Sequence, residues 1–345
     1  MSKLNPEWLA FEASVPPTEP PPNIQVQRSR WEDAARQQRE RFLTEVEPEW
    51  SGLVDIRNCT VPARDATNLP VRIYDARHPN PRTIVVFYHA GGLVQGDLDT
   101  EEVLCMRLAL GVPEALIFSV EYRLAPENQF PVPANDAWDS FIHIALNTKS
   151  LVPRFEAGAA PVDIILAGTS AGGQLAAIVS QLARDHLVKE PSSNWRIRGV
   201  VLRSPVTVNG SSTKYIPTQY QAIHRSWAPE FETGSLSLEV MGASHDRYNV
   251  SDKTNPLAYP LWGNLSGLPR AFIQASGPDI LRDDALCYAQ GLKDAGVEVE
   301  SRVYDDLPHA AALEAPHLLV SQKFDIDTVE GVNWALAKKC PDKFY

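Results

Sequence analysis

The residue of this chain best placed to do chemistry is a serine between glycines. Gly168-Thr169-Ser170-Ala171-Gly172 follows the apolar run Val162-Asp163-Ile164-Ile165-Leu166-Ala167 and opens Gln174-Leu175-Ala176-Ala177-Ile178-Val179. Strand, sharp turn and helix in that order make a nucleophile elbow. The turn forces the serine into a strained backbone, and the flanking glycines let strand and helix approach closely. A serine displayed this way attacks a carbonyl carbon if a base takes its proton and backbone amides receive the developing oxyanion. The amide after the serine is one such donor. A second source is Tyr88-His89-Ala90-Gly91-Gly92-Leu93, a glycine loop directly after an apolar strand. Taken alone, each glycine motif also reads as a plain tight turn.

The serine needs a base, and the base an orienting acid, in the chain order serine, acid, histidine. His186, His224, His245, His309 and His317 follow Ser170. The first three come before the last two strands, and His317 falls inside a helical pattern. His309 follows the final strand directly, in Tyr304-Asp305-Asp306-Leu307-Pro308-His309, where a loop could hold it over the strand ends. Asp279 sits at the carboxyl end of Ala271-Phe272-Ile273-Gln274-Ala275 and reads either as the acid or as a helix N-cap. Asp283 and Asp284 fall in the first turn of the next helix, where the macrodipole alone accounts for them.

Those residues need a frame, and the sequence supplies one. Val54–Val61 and Leu69–Tyr74 read as a hairpin. Apolar runs follow at Ile84–Tyr88, Leu116–Glu121, Ile164–Ala167, Val200–Arg203, Ala271–Ala275 and Val297–Val303. Helical patterns lie between them near Glu101–Leu110, Ala134–Asn147, Ala171–Arg184 and Leu281–Ala295. This alternation predicts a mostly parallel, doubly wound α/β sheet covered on both faces. Two segments stand outside it. Residues 1–50 hold the run Pro16-Pro17-Thr18-Glu19-Pro20-Pro21-Pro22 and a charged helix from Ser29 to Leu43, which read as an appendage on the core. Residues 205–260 are too long for a connection and are expected to carry structure, with a helical middle over Gln219–Met241.

The 345 residues are 44% hydrophobic, enough for a full core, and carry a net charge of −11. That charge argues against nucleic acid and against an anionic membrane surface. No apolar run is long enough to span a membrane and no leader pattern opens the chain, so a cytoplasmic protein is expected. Cys59, Cys105, Cys287 and Cys340 are scattered, with no metal-ligand spacing, and read as free thiols.

Taken together, the motifs resemble those of the hormone-sensitive-lipase family of α/β hydrolases. The resemblance runs from about Val54 to the C-terminus. It rests on His89-Ala90-Gly91-Gly92 with Gly96-Asp97-Leu98-Asp99, on Tyr122-Arg123-Leu124-Ala125-Pro126-Glu127 with Phe130-Pro131, and on Gly168-Thr169-Ser170-Ala171-Gly172-Gly173. Gly277-Pro278-Asp279-Ile280-Leu281-Arg282-Asp283 and His309 complete it. It implies an α/β-hydrolase fold with a helical cap formed by residues 1–50 and part of 205–260. By it Ser170 is the nucleophile, Asp279 the acid and His309 the base, while Gly91, Gly92 and Ala171 match the oxyanion-hole amides and His89 a structural loop histidine. Ala90 replaces the usual first glycine, Thr169 stands where many members carry Asp, and Ala310-Ala311 follow His309 where Gly-Phe is common.

The expectation is a serine carboxylesterase acting through an acyl-enzyme on a small, uncharged, mostly apolar ester, with neither metal nor organic cofactor. A homodimer is compatible with the resemblance. Two alternatives stay open: an acyltransferase or cyclase of specialised metabolism using the same triad, and a non-catalytic small-ligand receptor. N-terminal aromatics Trp31 and Phe42 are expected to pack on Tyr220, Trp227 and Phe231 of the insertion, forming a lid over Ser170.

Overall fold

The computed structural model describes residues 4–16, 19–155 and 161–337. Cys340, Met1 to Lys3, and Pro17 and Thr18 of the proline-rich run lie outside the described residues. In chain order the elements are α1 (Pro6–Ser14), α2 (Ile24–Glu45), α3 (Trp50–Leu53), β1 (Asp55–Pro62), β2 (Asn68–Asp75), β3 (Thr83–Tyr88), α4 (Glu102–Gly111) and β4 (Ala115–Val120). There follow α5 (Val132–Leu151), β5 (Val162–Thr169), α6 (Ala171–Lys189), β6 (Trp195–Arg203), α7 (Leu238–Tyr248), β7 (Arg270–Ser276), α8 (Arg282–Asp294), β8 (Val299–Tyr304), α9 (Ala311–Glu314) and α10 (Leu319–Ala337).

The strands form one eight-stranded sheet in the order β1-β2-β4-β3-β5-β6-β7-β8. β1 and β2 pair antiparallel, β2 runs antiparallel to β4, and every further pairing is parallel. The central strands β3 and β4 are buried at every residue, as continuous β-branched and aromatic runs require when helices cover both faces. One face packs against α5, α6 and α8 through Phe141, Ile144, Leu175, Val179 and Leu292. The other packs against α4 and α10 through Val103, Met106, Leu108, Val332 and Ala335. This is the α/β-hydrolase fold, and each strand expected from the sequence is present within a few residues.

Four details depart from the sequence reading. His317 lies in a turn, because Pro316 prevents α9 from running into α10. The insertion is mostly irregular: Pro229 interrupts the stretch expected to be helical, which holds single 3-10 turns at Thr218–Tyr220 and Pro229–Phe231, and a true helix starts only at α7, where Ser237 caps the Val240 amide. Phe42 does not reach the insertion. It packs edge-on to Trp50 beneath the Arg107 guanidinium, on the α4 face of the sheet. Trp227 and Phe231 instead join Val206, Leu236, Met241, Ile280 and Leu281. The α2 stripe is simply directed at α4, so its aromatic is buried there. α1 and the C-terminal α10 complete the fold beyond the expected helices.

Candidate active site

Ser170 stands at the top of β5 with φ 55° and ψ −116°, the strained conformation the elbow demands. Its glycine neighbours explain how the turn fits. A Cβ on Gly172 would lie 1.9 Å from the Tyr88 carbonyl oxygen, so only glycine lets the start of α6 touch the end of β3. That approach also sets Ala171 beside the loop that leaves β3. The Ser170 amide donates to the Arg203 carbonyl at 2.7 Å, and its carbonyl accepts from Gln174 and Val206.

His309 hangs in the loop between β8 and α9. Its Nδ1–H donates to Asp279 Oδ2 at 2.8 Å, and Ser170 Oγ donates to its Nε2 at 3.1 Å. The carboxylate can only accept, which fixes the tautomer and leaves Nε2 free to take the serine proton. Burial works against the imidazolium, but the charge and hydrogen bond of Asp279, with Glu314 and Glu101 behind them, hold the His309 pKa above its ordinary value. Asp279 serves two purposes, since its Oδ1 accepts the Leu281 amide at 2.8 Å ahead of α8. One oxygen thus faces His309, as an orienting acid would, while the other holds the residue before α8 in a local turn; the N-cap position itself falls on Leu281, two residues beyond the aspartate expected there. The three side chains are nearly covered: Ser170 is 6%, His309 5% and Asp279 1% exposed.

The loop after β3 is bent back on itself. Gly91 has φ 128° and Gly92 φ 63°, and the Gly91 carbonyl accepts the amides of Val94 and Gln95. The Ala90 amide donates to Glu101 Oε2 at 2.8 Å. The amides of Gly91, Gly92 and Ala171 donate to no other described residue. His89 is buried beneath this loop, stacked on Tyr122 with ring centres 4.3 Å apart, and donates from Nδ1 to the Ala90 carbonyl at 2.7 Å. Burial pushes its pKa down to about 4.

Several residues that hold the site carried no recognisable signal in the sequence. α2 is strapped across the loop: Arg28 donates to the carbonyls of Val94 and Ala125 and pairs with Glu127, and Gln27 bonds Gln95. α1 steadies the His309 loop through Asn5, bonded to Asp306 by main chain and side chain, and through Trp8, buried against Leu307, Ala311 and Ala315. Asp283 and Asp284, read as helix-dipole acids, tie down the insertion. Asp284 accepts the amides of Thr207 and Val208 and bonds His224 at 2.9 Å, while Asp283 accepts those of Arg225 and Ser226. Among the described residues no His, Cys, Asp and Glu side chains group as metal ligands, and no helix is long and apolar enough to cross a membrane.

An elbow serine in line with a histidine and a carboxylate, beneath a glycine loop on a doubly wound sheet, is the layout of a serine hydrolase. A family model for the alpha/beta hydrolase fold matches residues 85–313, and the chain belongs to that family, in its hormone-sensitive-lipase branch. Carboxylesterase NlhH of Mycobacterium tuberculosis is 35% identical over 262 residues, 73% of this chain and 74% of that protein. Versiconal hemiacetal acetate esterase of Dothistroma septosporum is 28% identical over 287 residues, 81% of this chain and 82% of that one. The crystal structure of vibralactone cyclase matches with a TM-score of 0.84 at 25% identity, covering 97% of this chain and 96% of that chain.

Proposed function

We propose that this carboxylic ester hydrolase works through an acyl-enzyme on Ser170. His309 Nε2 takes the hydroxyl proton as Ser170 Oγ attacks the ester carbonyl, and Asp279 keeps the imidazole in the right tautomer and stabilises its charge. The amides of Gly91, Gly92 and Ala171 receive the oxyanion, and His309 returns the proton to the leaving alcohol. Water, activated by the same histidine, then releases the acid. The observation that carries this reading is the continuous hydrogen-bond chain from Asp279 through His309 to Ser170.

The preferred substrate is an uncharged, mostly apolar ester. Val206, whose amide bonds the Ser170 carbonyl, belongs to an apolar cluster with Leu236, Met241, Ile280 and Leu281, backed by Trp227 and Phe231. Such a wall suits hydrocarbon chains or rings. Residues 1–50 and 205–260 act as the cap. Ser244 of α7 sits so close to Gly92 that a Cβ there would lie 2.9 Å from its Oγ, while α2 straps the same loop from outside. The likeness to vibralactone cyclase favours one second reading, in which a hydroxyl other than water accepts the acyl group. A fluorophosphonate should label Ser170 alone, read by peptide mass spectrometry; label on another serine would overturn the assignment. p-Nitrophenyl esters of increasing acyl length, with and without added alcohols, separate hydrolysis from transfer by the product formed.

A further inference from the structure

Glu101 stands outside the chain of Ser170, His309 and Asp279, at the N-terminal end of α4, and is 6% exposed. Its two oxygens serve different segments. Oε2 accepts the Ala90 amide at 2.8 Å, directly before Gly91 and Gly92. Oε1 accepts Thr169 Oγ1 at 2.5 Å, directly before Ser170, and Arg203 Nη1 at 2.9 Å. Arg203 closes the circuit. Its guanidinium donates to Thr169 Oγ1 at 3.0 Å and pairs with Asp325 of α10, and its own carbonyl holds the Ser170 amide. A carboxylate this deeply buried is tolerated because each of its oxygens is hydrogen-bonded and a cation lies against it.

We propose that Glu101 is a positioning residue, which sets the distance and orientation between the glycine-loop amides and the elbow serine. The proposal rests on the serine-esterase reading above. By taking the Ala90 amide, Glu101 fixes the peptide plane from which Gly91 and Gly92 continue, and by taking the Thr169 hydroxyl it fixes the other side of the gap. Oxyanion donors act only when they reach the position that the oxyanion occupies in the transition state, and small misplacements are costly there. Glu101 touches no substrate atom. Its loss therefore weakens binding of the transition state while leaving ground-state ester binding alone, which lowers kcat and spares KM.

The test compares Glu101→Gln, Thr169→Val and Thr169→Ser with the wild type on p-nitrophenyl butyrate, each variant confirmed folded by circular dichroism. The expected result for Glu101→Gln and Thr169→Val is a fall in kcat of roughly 10- to 100-fold with KM within about twofold. Affinity for an aryl trifluoromethyl ketone, which mimics the tetrahedral adduct, should fall by the same factor as kcat/KM. Thr169→Ser, which keeps the hydroxyl, should restore turnover, and the double variant Glu101→Gln/Thr169→Val should be little worse than Glu101→Gln alone. Folded variants that turn over at the wild-type kcat would overturn the positioning role. Should Glu101→Gln fail to fold, Thr169→Val, which removes one hydroxyl bond, decides the matter by the same readout. Wild-type protein that takes no fluorophosphonate on Ser170 would instead overturn the esterase reading beneath it.

Discussion

Two loops at the same edge of the sheet each bury a histidine, and the two imidazoles are driven in opposite directions. The loop after β3 holds His89, 1% exposed, and the loop after β8 holds His309, 5% exposed. His89 meets a carbonyl and the face of Tyr122, and burial outweighs the bond to the Ala90 carbonyl and the more distant charge of Asp97, so its pKa drops to about 4. His309 meets Asp279, and the carboxylate outweighs the same burial. Position beside the serine's strand is thus not enough to make a base. The carboxylate partner decides it.

The largest effect that would break this comparison is an equal loss on removing either ring. His309→Ala should lower kcat by about a million-fold, the scale seen when a triad member is removed from a serine hydrolase. His89→Phe, which keeps the stack on Tyr122, should cost only about tenfold through a less well held loop. Steady-state kinetics on one ester measure both. Asp279→Asn comes next and should cost about ten-thousand-fold, because the amide favours the wrong tautomer of His309.

The comparison sharpens with pH. Activity requires neutral His309, so kcat/KM should fall as pH drops through a value above the ordinary 6.5. His89 contributes no such limb, since it stays neutral down to about 4. It should show in stability instead. A histidine with a depressed folded pKa favours the folded state fully above its unfolded value of 6.5, and that stability is lost progressively as pH falls from there through about 4. In His89→Phe the melting temperature should decline less steeply over that window. The smallest effects concern the strap. Arg28→Ala removes the bonds to Val94 and Ala125 and should cost about 1–2 kcal/mol of stability and disturb the His89 loop. Asn5→Ala should disturb the His309 loop instead, moving the pH limb of activity while Arg28→Ala leaves it in place.

What the sequence disclosed follows the range of the forces involved. Ser170 was legible because strand, elbow and helix are contiguous, and β3 to β5 because burial on both faces writes unbroken apolar runs. The middle of the insertion was misjudged because its aromatics fall at helical spacing while Pro229 breaks the helix they suggest. Phe42 was sent to the wrong partner because an amphipathic stripe reports that a face is buried, not against what. Glu101, Arg203 and Asp325 gave no signal at all: they are remote in sequence, and each reads locally as an ordinary charge at a helix start, at a strand end or within a helix. Their meaning exists only once β3, β5, β6 and α10 have been packed together.

The bond between Asn5 and Asp306 has a consequence for how the protein is made. The ribosome delivers α1 long before the loop carrying His309, so Trp8 waits for its apolar seat while the whole sheet is made. During that interval the elbow and glycine loop can form on the growing sheet without His309 beside them, and the uncovered tryptophan is a foothold for chaperones or for mispairing between neighbouring nascent chains. Closure of α1 on this loop is therefore also the step that settles His309 over the elbow.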